Sequence, residues 1–196
     1  MSVFVLATAN PHKTEEMRAV LGSLGVELLA RPDDVPDVEE TEPTLEGNAL
    51  LKARALVDAT GLAAIADDTG LFVDALDGRP GVFSARYAGE GATYDDNVTK
   101  LLGELEGVED ARRTASFRTV IAVVYPSDEE LCVLGALEGR ITTRRRGHHG
   151  FGYDPVFEPL DASGRTLAEL TAEEKNATSH RARALHALVQ ALRTSP

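Results

Sequence analysis

Two adjacent carboxylates, Asp67 and Asp68, interrupt an otherwise apolar stretch, and any fold of this chain has to accommodate them. Residues 62–66 read as a buried strand, Asp67-Asp68-Thr69-Gly70 follow at its end, and residues 71–76 resume as a second apolar strand. Neighbouring carboxylates repel, and desolvating them is costly unless cations or hydrogen-bond donors compensate. A strand end is where open α/β sheets place their chemistry. The competing reading is a tight acidic turn, for which Asp and Gly are favoured residues.

The beginning of the chain supplies a second constraint. Residues 3–7 form a continuous apolar run, suited to a central strand covered on both faces. The run leads into Thr8, Ala9, Asn10, Pro11, His12 and Lys13, after which residues 15–21 take helical spacing. Asn10 fits an N-cap and Pro11 the first helical position. Strand, short polar loop and helix N-terminus together aim free backbone N–H groups and the positive end of the helix dipole at one spot, where a phosphate binds well. Lys13 sits in the first turn, where the dipole disfavours a cation. An anion beside it would give that lysine a purpose; a solvated lysine beside an ordinary cap is the alternative. The spacing of a P-loop is absent.

Further along, residues 26–30 read as a short strand, followed by a Pro- and Asp-rich connection and the acidic cluster Glu39, Glu40 and Glu42. A long helix is expected from Thr44 to about Ala59, with Leu45, Ala49, Ala53 and Leu56 on one face and Asn48, Lys52 and Arg54 adding polar groups. If Glu40 approaches Asp67 and Asp68, the three supply hard oxygen ligands of the kind Mg²⁺ prefers alongside substrate phosphates. Residues 115–125 and 130–137 form a hairpin, so the sheet must be mixed. The stretch Gly150, Phe151, Gly152, Tyr153, Asp154 alternates glycines with aromatics. Glycines let the backbone approach a ligand, and Phe151 and Tyr153 offer flat faces for a purine; a strand packed at a sheet edge is the competing reading. Thr171 to Glu174 reads as a capping box, and Ser179 caps the last helix. His180 and Arg181 place donors in that helix's first turn, against the dipole preference, which again suits a ligand with acceptor atoms. The basic run Arg144-Arg145-Arg146 reads as a solvated edge or loop, with attraction of an anionic substrate as the competing reading, and no zinc-type spacing accompanies His148 and His149.

Composition narrows the class. With 196 residues and 43% hydrophobic side chains, the chain can build one α/β domain, folded as two lobes. A net charge of -12 argues against sequence-independent binding to nucleic acid, which relies on clustered Lys and Arg. The one cysteine, Cys132, lies in an apolar run and reads as a core residue. No signal-like segment or membrane-length apolar run is visible, so a soluble, cytoplasmic protein without membrane attachment is expected.

Five motifs then fall in order: Thr8 to Lys13, Ala66-Asp67-Asp68-Thr69-Gly70, Ser84-Ala85-Arg86-Tyr87, Phe151-Gly152-Tyr153-Asp154-Pro155, and Glu174-Lys175-Asn176 with Ser179-His180-Arg181. Together they resemble the non-canonical purine NTP pyrophosphatase family, the inosine/xanthosine triphosphate enzymes of the bacterial dITP/XTP type, over essentially the whole chain. The resemblance implies an ITPase-like fold: an elongated mixed β-sheet flanked by helices, with a substrate cleft between two lobes. It also implies a homodimer and Mg²⁺-dependent cleavage of a purine nucleoside triphosphate to the monophosphate and pyrophosphate. Carried over by position, Thr8, Ala9, Asn10, Pro11, His12 and Lys13 match the triphosphate-binding segment. Asp68 matches the proton acceptor and metal ligand, Glu40 the second metal ligand, and Thr69 a substrate contact usually filled by serine. Phe151, Gly152, Tyr153, Asp154, Lys175, His180 and Arg181 match the nucleotide-binding positions. Departures are small: Ala9 stands where glycine is frequent, and His148-His149 replace a more glycine-rich approach. The division of roles between Asp67 and Asp68, and between Glu39 and Glu40, stays open here. Two other functions compete, a related pyrophosphatase acting on pyrimidine or other modified nucleotides and a non-enzymatic nucleotide-binding protein. The paired carboxylates count against the second.

Overall fold

Asp67 and Asp68 lie inside a single strand of 10 residues, Ala64–Val73, and not at the junction of two. Neither the expected strand end nor the competing tight turn forms there, and the second apolar run is the continuation of the first as far as Val73, with Asp74–Leu76 forming a short 3-10 turn. Gly70, which the sequence suggested as a turn residue, has a different reason. A Cβ there would lie 2.6 Å from the carbonyl oxygen of Gly81, the partner of Leu71 across the neighbouring strand.

The computed structural model describes residues 3–8, 10–22 and 26–194; Ala9 and the His12 side chain, both assigned above to the phosphate loop, lie outside the described residues. In chain order the elements are β1 (Val3–Leu6), α1 (Pro11–Leu21), β2 (Glu27–Leu29), α2 (Leu45–Thr60), β3 (Ala64–Val73), β4 (Pro80–Gly81), α3 (Tyr94–Glu104), β5 (Thr114–Val124), β6 (Glu130–Ile141), β7 (Phe157–Pro159), α4 (Ala172–Thr178) and α5 (His180–Thr194). The strands form a 7-stranded sheet of order β2-β1-β3-β5-β6-β7, with β4 against β3. β1 pairs in parallel with β2 and β3, while β4 and β7 join antiparallel. The expectation of a mixed α/β sheet flanked by helices holds.

The chain divides into two compact units: Met1–Asp68 with Thr119–Gly135 and Arg181–Pro196, and Thr69–Arg118 with Ala136–His180. In the first, strand alternation sorts the side chains onto two faces. Phe4, Leu6, Ile65, Ile121 and Val123 pack with Met17 and Leu21 of α1 and Leu185 and Leu188 of α5. Val5, Ala64, Ala66 and Val124 pack with Ala53 and Leu56 of α2. Burying each large aliphatic side chain contributes about 1.5–3 kcal/mol. α2 is held at both ends: the Thr44 hydroxyl accepts from the Gly47 N–H at 3.0 Å, and Gly61 closes it at a φ of 68°. The second unit has its own core, in which Leu71, Val73, Val98, Leu101, Phe117, Tyr153 and Phe157 meet.

Cys132, expected in the core, is half-buried on β6. Burial pushes its thiol up to about 11 from an ordinary 9.0. Because the thiolate is the nucleophile, alkylation by iodoacetamide at pH 8 is expected to run about a hundredfold slower than for an unstructured cysteine peptide. Equal rates in the native protein would contradict that environment. Among the described residues, no helix is long and apolar enough to cross a membrane.

Candidate active site

Because successive residues of a strand point to opposite faces, the two carboxylates do not share a site. Asp67 follows Ile65 toward α1 and α5, whereas Asp68 follows Ala64 and Ala66 toward α2. Alternation gives them different direct ion-pair partners, Lys13 and Arg181 for Asp67 and Lys52 for Asp68, although the Lys52 charge acts on both.

On the α1 side, the loop after β1 behaves as a cap. The Asn10 side chain accepts from the Lys13 N–H at 3.4 Å, its carbonyl accepts from the Thr14 N–H at 3.0 Å, and its own N–H donates to the Thr8 hydroxyl at 3.1 Å. This arrangement carries the Lys13 ammonium to 3.0 Å from Asp67 Oδ2. Arg181, the second residue of α5, donates from Nε and Nη2 to the same oxygen, each at 3.3 Å, and pairs through Nη1 with Glu16 of α1. Burial alone would raise the Asp67 carboxyl, yet Lys13, Arg181 and Lys52 hold it well below the usual carboxylate range. Burial lowers Lys13 against the pull of Asp67, while Arg181, opposed by burial, is raised by Asp67 and Glu16.

On the α2 side, Lys52 Nζ lies 2.8 Å from Asp68 Oδ1 and 3.0 Å from Glu40 Oε1. The Asn48 amide donates to Asp68 Oδ2 at 3.4 Å and its oxygen accepts from the Glu42 N–H at 3.0 Å. Asn48 and Lys52 are one helical turn apart, so both point at Asp68. Burial pushes Asp68 up to about 6, with Lys52 opposing and Glu40 adding to the rise. Lys52 is raised, because Asp68, Asp67 and Glu40 outweigh its desolvation. Glu40 is the acidic residue that reaches this cluster; Glu39 is exposed.

The expected cluster of three carboxylates is not what forms. Glu40 and Asp68 converge on one cation, Asp67 stands on the other face, and among the described residues no group of three or more His, Cys, Asp and Glu side chains could hold a metal alone. The convergent pair still suits Mg²⁺, which takes one or two carboxylates and completes its shell with water and substrate phosphates. A cavity of ≈ 220 Å³ adjoins this cluster, lined among others by Thr8, Lys13, Glu40, Lys52 and Asp67.

The second unit carries the aromatic motif, which is a turn-rich loop and not an edge strand. Asp154 Oδ2 accepts from the Phe151 N–H at 2.9 Å and from Lys175 Nζ at 2.8 Å. A Cβ at Gly150 would lie 2.0 Å from that oxygen, so only glycine lets the loop close on it; Gly152 adopts a φ of 63°. The Lys175 ammonium sits 4.7 Å from the centre of the half-buried Phe151 ring. Tyr153 is not a second platform. It is buried in the core and its hydroxyl donates to the Ser84 carbonyl at 2.9 Å. His180 stacks on Phe117 at 4.6 Å, and Thr69 is half-buried on β3 directly after Asp68. In the basic run, Arg145 pairs with Asp95 and Arg146 with Glu158, so its charge is largely matched.

Sequence reasoning noted Lys52 and Asn48 only as polar groups on a helix and passed over Glu16. The spacing of Asn48 and Lys52 along one face was the available signal; nothing local marks Glu16.

The model of the Ham1 family matches residues 4–191. The chain belongs to the Ham1 family. It is similar to a dITP/XTP pyrophosphatase of Thermoanaerobacter sp. (strain X514), 55% identical over 183 residues, covering 92% of this chain and 91% of that protein. The dITP/XTP pyrophosphatase of Bacillus subtilis (strain 168) is 46% identical over 194 residues, covering 98% of each. Among solved structures, a HAM1 protein from Coxiella burnetii superposes with a TM-score of 0.91 at 44% identity, over 100% of both chains. The Ham1 fold thus accounts for the mixed sheet and its helices from end to end.

Proposed function

We propose that this Ham1 protein hydrolyses non-canonical purine nucleoside triphosphates, dITP/ITP and XTP/dXTP, to the monophosphate and pyrophosphate, with Mg²⁺, as a cytoplasmic homodimer. The observation that carries the reading is the convergence of Asp68 and Glu40 on one cation position, with Glu40 lining a cavity that Thr8 and Lys13 also line. The names of the relatives point to the same substrates.

Asp68 and Glu40 would hold the metal, which when bound neutralises charge that builds on the phosphate oxygens. The remaining work falls to the chain. Asp68 takes a proton from a water whose oxygen bonds to the α-phosphorus, and the bond from that phosphorus to the bridging oxygen breaks as pyrophosphate leaves. Lys13 and the α1 N-terminus stabilise the departing anion. Asp67, kept charged by Lys13 and Arg181, fixes both cations in place. Thr69, Phe151, Asp154 and Lys175 are assigned to the nucleotide, Phe151 as the stacking face. His180, with Arg181 beside it in the chain, is assigned the purine edge that bears O6 and N7.

Both acceptors of inosine and xanthosine suit donors, whereas adenine presents an N6 donor. A buried donor left facing a donor rejects a substrate by ~10⁴-fold, so kcat/KM for ITP is expected to exceed that for ATP by that order. Pyrophosphate release from dITP, XTP, ATP, dTTP and UTP, with and without Mg²⁺, tests the whole reading. Equal cleavage of ATP and ITP would refute the base assignment, and preference for dTTP or UTP would move the enzyme to pyrimidine substrates.

A further inference from the structure

Three basic side chains line the ≈ 220 Å³ cavity of the first unit: Lys13, Lys52 and Arg31. The two lysines reach buried carboxylates, Asp67 at 3.0 Å and Asp68 at 2.8 Å. Arg31 is held differently. Its guanidinium pairs with Asp37 and donates to the Val35 carbonyl, and its side chain is 14% exposed while that of Asp37 is 87% exposed. A carboxylate standing in solvent contributes little to such a pair and exchanges readily for another anion. The guanidinium retains N–H groups beyond the two engaged by Asp37 and Val35, in a planar fork that matches phosphate oxygens. Thr8, Val35 and Asp37 line both this cavity and a neighbouring one of ≈ 850 Å³, and so does Arg31. Arg31 therefore lines both cavities, together with Thr8 of the loop that precedes Lys13.

We propose that Arg31 binds the terminal phosphates of the triphosphate, and that Asp37 is a placeholder carboxylate which the phosphate displaces. The inference rests on the triphosphate reading of the site and adds to it a residue that no motif of the chain marks. It also assigns a task to the Pro- and Asp-rich connection after β2.

Binding of inorganic pyrophosphate in the presence of Mg²⁺, followed by calorimetry, separates this from a structural ion pair. Arg31→Gln is expected to weaken pyrophosphate about tenfold or more, through loss of charge-assisted hydrogen bonds. Arg31→Lys keeps the charge but not the fork and is expected to fall between the two. Asp37→Asn removes the competitor and is expected to tighten pyrophosphate severalfold. With dITP the effect of Arg31→Gln should fall on KM more than on kcat, and melting temperatures report that each variant is folded. If the pair only braces the loop, Asp37→Asn and Arg31→Gln will weaken binding alike, which overturns the proposal. A pyrophosphate affinity unchanged in Arg31→Gln overturns it as well. Wild-type protein that cleaves dITP while Arg31→Gln binds pyrophosphate normally would refute Arg31 alone; wild-type protein that cleaves no triphosphate would refute the function itself.

Discussion

Asp68→Asn is expected to lower kcat/KM for dITP by about 10³-fold, while the protein stays folded. Asparagine keeps the shape, and its single amide oxygen can still accept from Lys52 in the contact at 2.8 Å, while its NH2 replaces the oxygen that accepts from Asn48 at 3.4 Å. It cannot take a proton from water or offer an anionic ligand beside Glu40. General-base catalysis alone contributes 10²–10⁴-fold, which sets the magnitude. Steady-state kinetics with dITP at saturating Mg²⁺, with melting curves on the same samples, measure it. Asp67→Asn makes the comparison informative. Asp67 points to the other face of β3, where Lys13 and Arg181 engage it, so its loss should act through displacement of those cations. If the folded Asp67→Asn protein loses more activity than Asp68→Asn, the two roles are the reverse of those argued above.

The largest stability effect is expected at Arg181. Replacing it with methionine should destabilise the protein by about 3–5 kcal/mol, because Asp67 and Glu16 are then left without the guanidinium that bridges them. Asp67 is 3% exposed, so water cannot replace the lost guanidinium there and Lys13, at 3.0 Å, is left to compensate its charge. For a chain of this size each kcal/mol shifts the melting temperature by roughly 2–4 °C, so a fall of roughly 6–20 °C is expected in a thermal melt at pH 7. Arg181→Lys should recover part of it, since one ammonium cannot span both carboxylates as the planar fork does. A melting temperature within about 2 °C of wild type would show that the buried pair is worth no more than a surface one.

These two residues also show how far local reading reaches. Thr44 and Gly61 around α2, Thr93 before α3, and Thr171 with Glu174 at the start of α4 end their helices as their side chains dictate, since capping is decided within a turn of chain. The apolar face of α2 was legible from its helical spacing. The acidic stretch was misread because Asp and Gly favour turns in isolation, whereas here cations from distant elements let the strand continue through them. Tyr153 was misread because alternation along a chain does not distinguish a ring that packs in a core from one presented to a base.

By itself, the sequence determined the element types, the mixed sheet, and the order of motifs that places this chain with the Ham1 proteins. It also determined that Asp67 and Asp68 would need compensation, since adjacent carboxylates in an apolar run cannot stand alone. Only the tertiary structure decided which cation compensates which carboxylate. Lys52 comes to Asp68 from 16 residues away and Arg181 to Asp67 from 114, distances over which no local preference acts. The physical reason is the pleat of β3: it sends neighbouring side chains to opposite faces, and the helices packed on each face then determine their chemistry.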